Sequence, residues 1–213
     1  GMGVAPERIL YNHGIHGVQD LACVLRRLGK PFRIVAGHVT ESDVLARAAA
    51  AARGAQAAHR LHASRVLRIG EPFRGMGDFH VEDSILREAL GVNVSQIEPR
   101  ELAPHTTAVT DTEMADEMAA DRERYDIRAP EPVHRRSVRV GLGLRRILEQ
   151  GRYDAFTANF LAFDSGKDPV STVPFLEASK AMARGLGYAG EGDALTAALV
   201  GALGASFGST TFT

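Results

Sequence analysis

The sequence predicts an α/β protein, doubly wound, with mostly parallel sheets and helices on both faces, arranged in two units. Three observations carry this. Short apolar runs bounded by glycine or proline alternate with amphipathic segments of helical period, the pattern of strands joined by crossover helices. The chain has 213 residues, 45% hydrophobic and 24% charged, which is enough to bury a core without covalent staples. Its single cysteine, Cys23, excludes an internal disulfide and a cysteine-rich zinc site, and points to a reducing, cytoplasmic setting.

The elements follow in order. Residues 8–12, RILYN, read as a strand. Val18, Leu21, Ala22, Leu25 and Leu28 then recur at the helical period, with Gly29 and Pro31 as the stop. Phe32 to Ala36 is a short apolar run between turn signals and reads as a second strand. Thr40 with Asp43 resembles a capping box opening an alanine-rich helix to about His62, with Gly54 as its weak point. Arg65 to Ile69 reads as a strand, so the first 70 residues spell β-α-β-α-β. A glycine-rich loop follows from Gly70 to Phe79, then a helix from Val81 to Leu90 and a strand from Val92 to Ile97. Thr110 to Tyr125 is an acidic helix with Met114, Met118 and Ala119 on one side. Pro132 to Gln150 is a basic helix with Val133, Val140, Leu144, Ile147 and Leu148 on one stripe. Asp154 to Phe160 reads as a strand and Val173 to Leu186 as a helix. Asp193 caps a last apolar helix over 194–205, and the final residues look like the start of a strand.

Composition excludes several functions. Tryptophan is absent and aromatics make up 6%, so a stacking platform for single-stranded nucleic acid is not expected. The apolar run from Ala194 to Phe207 falls short of a membrane span, and the first ten residues lack the form of a signal peptide. The net charge of −1 divides into +6 over residues 1–70 and −7 over residues 71–213, which two structural units with different solvated faces explain. A basic first unit contacting nucleic acid is the weaker alternative.

Several segments carry candidate chemistry. GLG at 141–143 lies inside a helix rather than after a strand, which favours close helix packing over dinucleotide binding. His13 and His16, in NHGIHG, fall between a strand and a helix, where α/β sheets bind ligands; a plain capping turn is the competing reading. His59 and His62 have a spacing that could hold a metal but that belongs more often to a solvated helix end. The acidic stretch 111–126 has helical spacing and reads as a solvated face rather than a cation loop. GYAGEGD at 187–193 is the most distinctive. Its glycines allow close approach to the backbone, and Glu191 and Asp193 stand at the entry to a helix. A capping turn with Glu191 in solvent is equally compatible.

Four segments, in order, resemble the L-arabinose isomerases and the broader L-fucose isomerase-like group. GYAGEGDALTAAL (187–199) is similar to G-Y-G-F-x-x-E-G-D-W-K-T-A-A-L. LEQGRYDAFTANF (148–160) is similar to L-E-Q-G-x-x-x-A-F-T-T-x-F, and RVLRIGEPF (65–73) to K-V-x-R-F-G-D-N-M. LYNHGIHGVQDL followed by AGH (10–21, 36–38) resembles the family's histidine-glycine turn and T-G-H. The resemblance implies a divalent-metal, usually Mn2+, aldose–ketose isomerase of a pentose or 6-deoxyhexose. It implies oligomers with sites between subunits; composition, for its part, leads to no membrane or nucleic-acid partner being expected.

By position, the resemblance makes Glu191 the second carboxylate, acid–base and metal ligand. His16, with His13 beside it, becomes substrate-binding, and Phe73 takes the place of a substrate-facing methionine. The family's first carboxylate follows the phenylalanine at the end of its F-T-x-x-F segment. Here Leu161 follows Phe160, leaving Asp164 as the candidate metal ligand in its stead. The family's metal-binding histidines lie in a C-terminal domain that this chain does not reach. The resemblance therefore implies a remnant of an N-terminal α/β domain over 1–64, a middle α/β domain over 65–188 and the start of a truncated C-terminal domain over 189–213. The expectation is an incomplete isomerase with little or no activity. The alternative is a non-catalytic sugar-binding or regulatory module.

Overall fold

The computed structural model describes residues 14–75, 77, 79–163, 170 and 172–212. The chain divides into two compact units between Ala52 and Arg53. In the first lies helix α1 (Gly14–Arg27), whose Ile15, Val18, Leu21 and Val24 are exposed. Helix α2 (Val44–His62) runs unbroken through Gly54. Its start differs from the expected capping box. Thr40 bonds to the His38 ring, Asp43 pairs with Arg47, and the Ser42 hydroxyl accepts from the Val44 N–H. The strand expected at residues 32–36 does not form, and Phe32 and Ile34 are exposed. An extended run of this length has no stability without a neighbouring ladder. The strand expected at 8–12 lies outside the described residues.

The sheet belongs to the second unit. It has four parallel strands, β1 (Arg65–Ile69), β2 (Asn93–Ile97), β3 (Ala155–Ala158) and β4 (Gly187–Gly190), in the order β2-β1-β3-β4. The connecting helices are α3 (Asp83–Leu90), α4 (Ala103–Thr107), α5 (Asp111–Arg124), α6 (Glu131–Gln150), α7 (Phe175–Ala183) and α8 (Ala194–Phe207). Register places Leu67, Phe156 and Tyr188 in one row and Ile69 with Ala158 in the next. Because side chains alternate along a strand, these rows share a face. That face packs on Val140, Leu144 and Leu148 of α6 and Ala178 and Ala181 of α7. The opposite face carries Val66, Ala155 and Ala189 against Ala194, Ala197 and Ala198 of α8 and Leu86 of α3. Both faces are thus covered, as parallel sheets require.

Strand β4 was legible only as a loop, and glycine is the reason. A Cβ added at Gly187 would lie 2.0 Å from the Ala197 carbonyl oxygen and 2.5 Å from the Gly201 nitrogen. Helix α8 therefore rests directly on the backbone of β4, which only glycine permits. The expected packing role of GLG holds: a Cβ at Gly143 would meet the Thr106 hydroxyl at 2.6 Å, where α4 crosses α6. The last expected strand is absent, because α8 continues to Phe207 and residues 209–212 are irregular.

The acidic helix α5 is not simply a solvated face. Thr110 and Glu113 form a reciprocal capping box at its start. Met114 and Met118 are buried with Val109 and Val138. Glu117 and Asp121 turn inward to a charged cluster. The Arg145 guanidinium forks onto both Glu117 oxygens, at 2.8 and 3.1 Å, and onto both Glu177 oxygens, at 2.9 and 3.1 Å. Lys180 reaches Glu117 at 2.7 Å and also pairs with Asp121, which in turn bonds His134 at 2.8 Å.

Candidate active site at the carboxyl ends of the strands

In an open parallel sheet a ligand crevice forms beyond the carboxyl ends of the strands, at the point where strand order reverses. Here the chain runs outward from β1 to β2 and then returns past β1 to β3, so the reversal lies between β1 and β3. Three loops meet at that edge: 70–75 after β1, 159–163 after β3 and 191–193 after β4. They are bonded into one assembly. The Asn159 N–H donates to the Ile69 carbonyl at 3.0 Å, and its side-chain amide donates to the Glu71 carbonyl at 2.7 Å. The Glu191 N–H donates to the Ala158 carbonyl at 3.0 Å, and the Phe73 N–H to the Glu191 carbonyl at 2.8 Å. The Thr157 hydroxyl donates to the Gly190 carbonyl and accepts from the Gly192 N–H, at 3.1 and 3.0 Å. Gly192, at φ 86°, lets the β4 loop touch the β1 loop: a Cβ there would lie 2.6 Å from Pro72 Cα.

Glu191 sits half-buried in this assembly at φ 64°, the left-handed region that disfavours any residue with a Cβ. Strain of this kind persists where surrounding bonds over-determine the backbone, and it gathers at functional sites. The Asp193 carboxylate accepts from the Thr196 N–H at 2.9 Å and caps α8, as expected, so of the two acids only Glu191 is left without a capping task. The carboxylate also has an electrical effect. Burial first, and Glu191 second, push the Tyr188 phenol up to about 12. Replacing Glu191 with glycine removes the left-handed strain at some entropic cost. The variant is expected to gain about 0.5–1 kcal/mol in stability, read from its denaturation midpoint. A loss of stability would show that the side chain is held for packing.

Phe73 stacks on Phe160, with ring centroids 6.0 Å apart and planes 27° apart. It borders a cavity of about 670 Å³ that also touches Glu71, Arg74 and His80. Phe73 and Glu191 are therefore brought together. Leu161, at the position expected for a carboxylate, is 65% exposed, and its N–H is held by the Asn159 side chain. His13 and Asp164 lie outside the described residues. His16 belongs to the first unit and is not in a turn before a helix. It is an exposed residue of α1 itself, because the helix begins at Gly14. His59 and His62 are exposed on α2.

A divalent cation such as Mn2+ takes several hard donors. Glu191 supplies one carboxylate, while the Thr157 hydroxyl and the Asn159 amide already serve the loops. No group of three metal-ligating side chains occurs among the described residues. The described residues therefore do not fit such an ion by themselves.

One set of residues escaped the sequence reading. Arg68, 7% exposed, forks onto Asp83 of α3 at 2.8 and 2.9 Å and onto the Gln96 side-chain oxygen at 2.8 and 3.0 Å; Gln96 donates to the Glu71 carboxylate at 2.7 Å. The available signal was strand alternation, which puts Arg68 on the same face as Val66, beneath α3.

Comparison with known proteins places the chain in a family. Residues 65–206 match the model of the L-arabinose isomerase central domain. An L-arabinose isomerase of Herpetosiphon aurantiacus is 30% identical over 199 residues, covering 90% of this chain and 39% of that protein. That of Acidothermus cellulolyticus is 33% identical over 206 residues, with 90% and 39% covered. That of a Nocardioides species is 31% identical over 196 residues, with 89% and 38% covered. The chain thus spans about two-fifths of the length of these curated relatives. With the sheet, its crossover helices and the Glu191 loop all inside the matched region, the chain belongs to the L-arabinose isomerase family.

Proposed function

We propose that this chain carries one half of an aldose–ketose isomerisation site, with Glu191 as its acid–base carboxylate and Phe73 as an apolar wall against the sugar. The observation that carries the reading is Glu191: a half-buried carboxylate, held in a strained backbone conformation, at the carboxyl edge of a sheet. Isomerisation moves a proton between adjacent carbons, and a positioned carboxylate takes it from one and returns it to the other. The carbonyl oxygen gains a proton as the neighbouring hydroxyl loses one, so the sugar keeps its composition. A divalent cation, when bound in such a site, polarises the carbonyl; here it would need donors beyond Glu191. The partners of this reading are a small sugar, a pentose or 6-deoxyhexose, and further copies of the protein.

The same reading makes the chain by itself a poor catalyst. Leu161 offers no oxygen where the resemblance places the first carboxylate. Purified chain incubated with Mn2+ and L-arabinose or L-fucose is expected to form no ketose above background; robust ketose formation would overturn this. A second reading, sugar binding without chemistry, is favoured by the apolar Leu161 and the cavity beside Phe73. It predicts the same calorimetric affinity with and without chelator.

A further inference from the structure

We propose that Glu71 is the residue that receives sugar hydroxyls at this edge, and that Gln96, Arg68 and Asp83 act as positioning residues holding its carboxylate for that task. The proposal rests on the sugar-site reading above and adds to it a second acidic group, on the loop after β1.

The argument begins with donors and acceptors. A guanidinium can only donate, so Arg68 can meet Gln96 only at the amide oxygen. Both Arg68 contacts to Gln96 go to Oε1, at 2.8 and 3.0 Å. The amide nitrogen must then point the other way, and it donates to Glu71 Oε1 at 2.7 Å. Arg68 cannot swing aside, because Asp83 holds its two terminal nitrogens at 2.8 and 2.9 Å. The chain Asp83–Arg68–Gln96–Glu71 therefore has one direction. Bidentate guanidinium–carboxylate geometry makes its first link the stiff one.

Glutamine as the middle link has a chemical consequence. A direct Arg68–Glu71 fork would consume both carboxylate oxygens. The amide holds one, and among the described residues no hydrogen bond engages Oε2. Glu71 borders the cavity of about 670 Å³ that Phe73, Arg74 and His80 also touch. Its own carbonyl is tied to Asn159, and the Phe73 N–H two residues on is tied to the Glu191 carbonyl. The two acidic loops are thus fixed to one another. A carboxylate with an open oxygen accepts charge-assisted bonds from hydroxyls, and Phe73 stacked on Phe160 offers an apolar surface for the C–H face of a sugar ring.

The test is calorimetric titration of the full chain with L-arabinose, with thermal melting of each variant alongside. Glu71→Gln is expected to weaken binding at least tenfold and Glu71→Asp to restore part of it. Gln96→Leu is expected to weaken binding severalfold with Glu71 intact. Melting temperatures of the two Glu71 variants should match the parent, since Glu71 is exposed. If the parent binds and Glu71→Gln binds equally well, the proposal falls while the sugar-site reading stands. If Glu71→Gln loses binding but Gln96→Leu does not, the positioning role falls. If the parent binds neither L-arabinose nor L-fucose, both readings fall together.

Discussion

Replacing Arg145 with alanine is expected to cost about 3–5 kcal/mol of stability, measured by denaturant unfolding. The guanidinium is shared between Glu117 of α5 and Glu177 of α7, and Glu177 is 2% exposed. Removing it leaves two inward carboxylates, with Lys180 and Arg184 as the remaining cations in contact with them. Glu117, Asp121 and Glu177 then face only these two cations, and that excess of inward negative charge, rather than the lost ion pair itself, is the source of the penalty. Arg145→Lys should recover only part of it, since an ammonium lacks the planar fork with which Arg145 grips both oxygens of each carboxylate. A loss under 1 kcal/mol for the alanine variant would show that the cluster relaxes into solvent. The cluster also sets a pH dependence. The Arg145 hydrogen bonds hold the Glu117 carboxyl down to about 2, against the opposing effect of burial and with help from Lys180. A depressed carboxyl contributes stability that is fully present above its ordinary value of 4.5 and is lost as pH falls toward 2. The gap between the parent and Arg145→Ala should therefore stay constant near neutrality and narrow across that acid window.

Phe156→Ala is the second large effect, also about 3–5 kcal/mol. Phe156 is fully buried in the middle of β3, its ring 5.0 Å from that of Tyr188 and its strand position level with Leu67. Three strands and helix α6 converge on it, so the vacated space cannot collapse without moving the sheet. Phe156→Leu keeps most of the volume and should cost under half as much. Equal losses for the two variants would mean that ring stacking, not volume, governs the site.

The sheet was legible where a strand is a short bounded run, as at 65–69, or alternates, as at 93–97, and so were the long periodic helices. Gly187–Gly190 escaped because two glycines in four residues read as a turn; the strand exists because α8 needs bare backbone to rest on. Residues 32–36 show the converse, a β-like composition with no ladder to join. Within the candidate site, Glu191 stood out by its motif, and Phe73 only through the resemblance of RVLRIGEPF to the family segment. Glu117, Asp121 and the Arg68–Gln96–Glu71 chain did not, because a charge in sequence carries no mark of the helix or strand that will face it. Arg145 lies 28 residues from Glu117 and 32 from Glu177, separations that no local pattern encodes.

The strand order also has a consequence for how the protein comes to exist. β1 is made first yet lies between β2 and β3, and the bond from the Arg65 N–H to the Asp154 carboxylate closes a span of 89 residues. The β1–β2 pair can form early, but β1 must then wait, one edge open, until β3 has been synthesised and the long intervening segment has collapsed. Closing so large a loop is entropically slow. The loops bearing Glu71 and Glu191 touch only across that late seam. Acquisition of the site is thus expected to coincide with the last step of folding, and half-made chains present an open β1 edge on which strands can mispair.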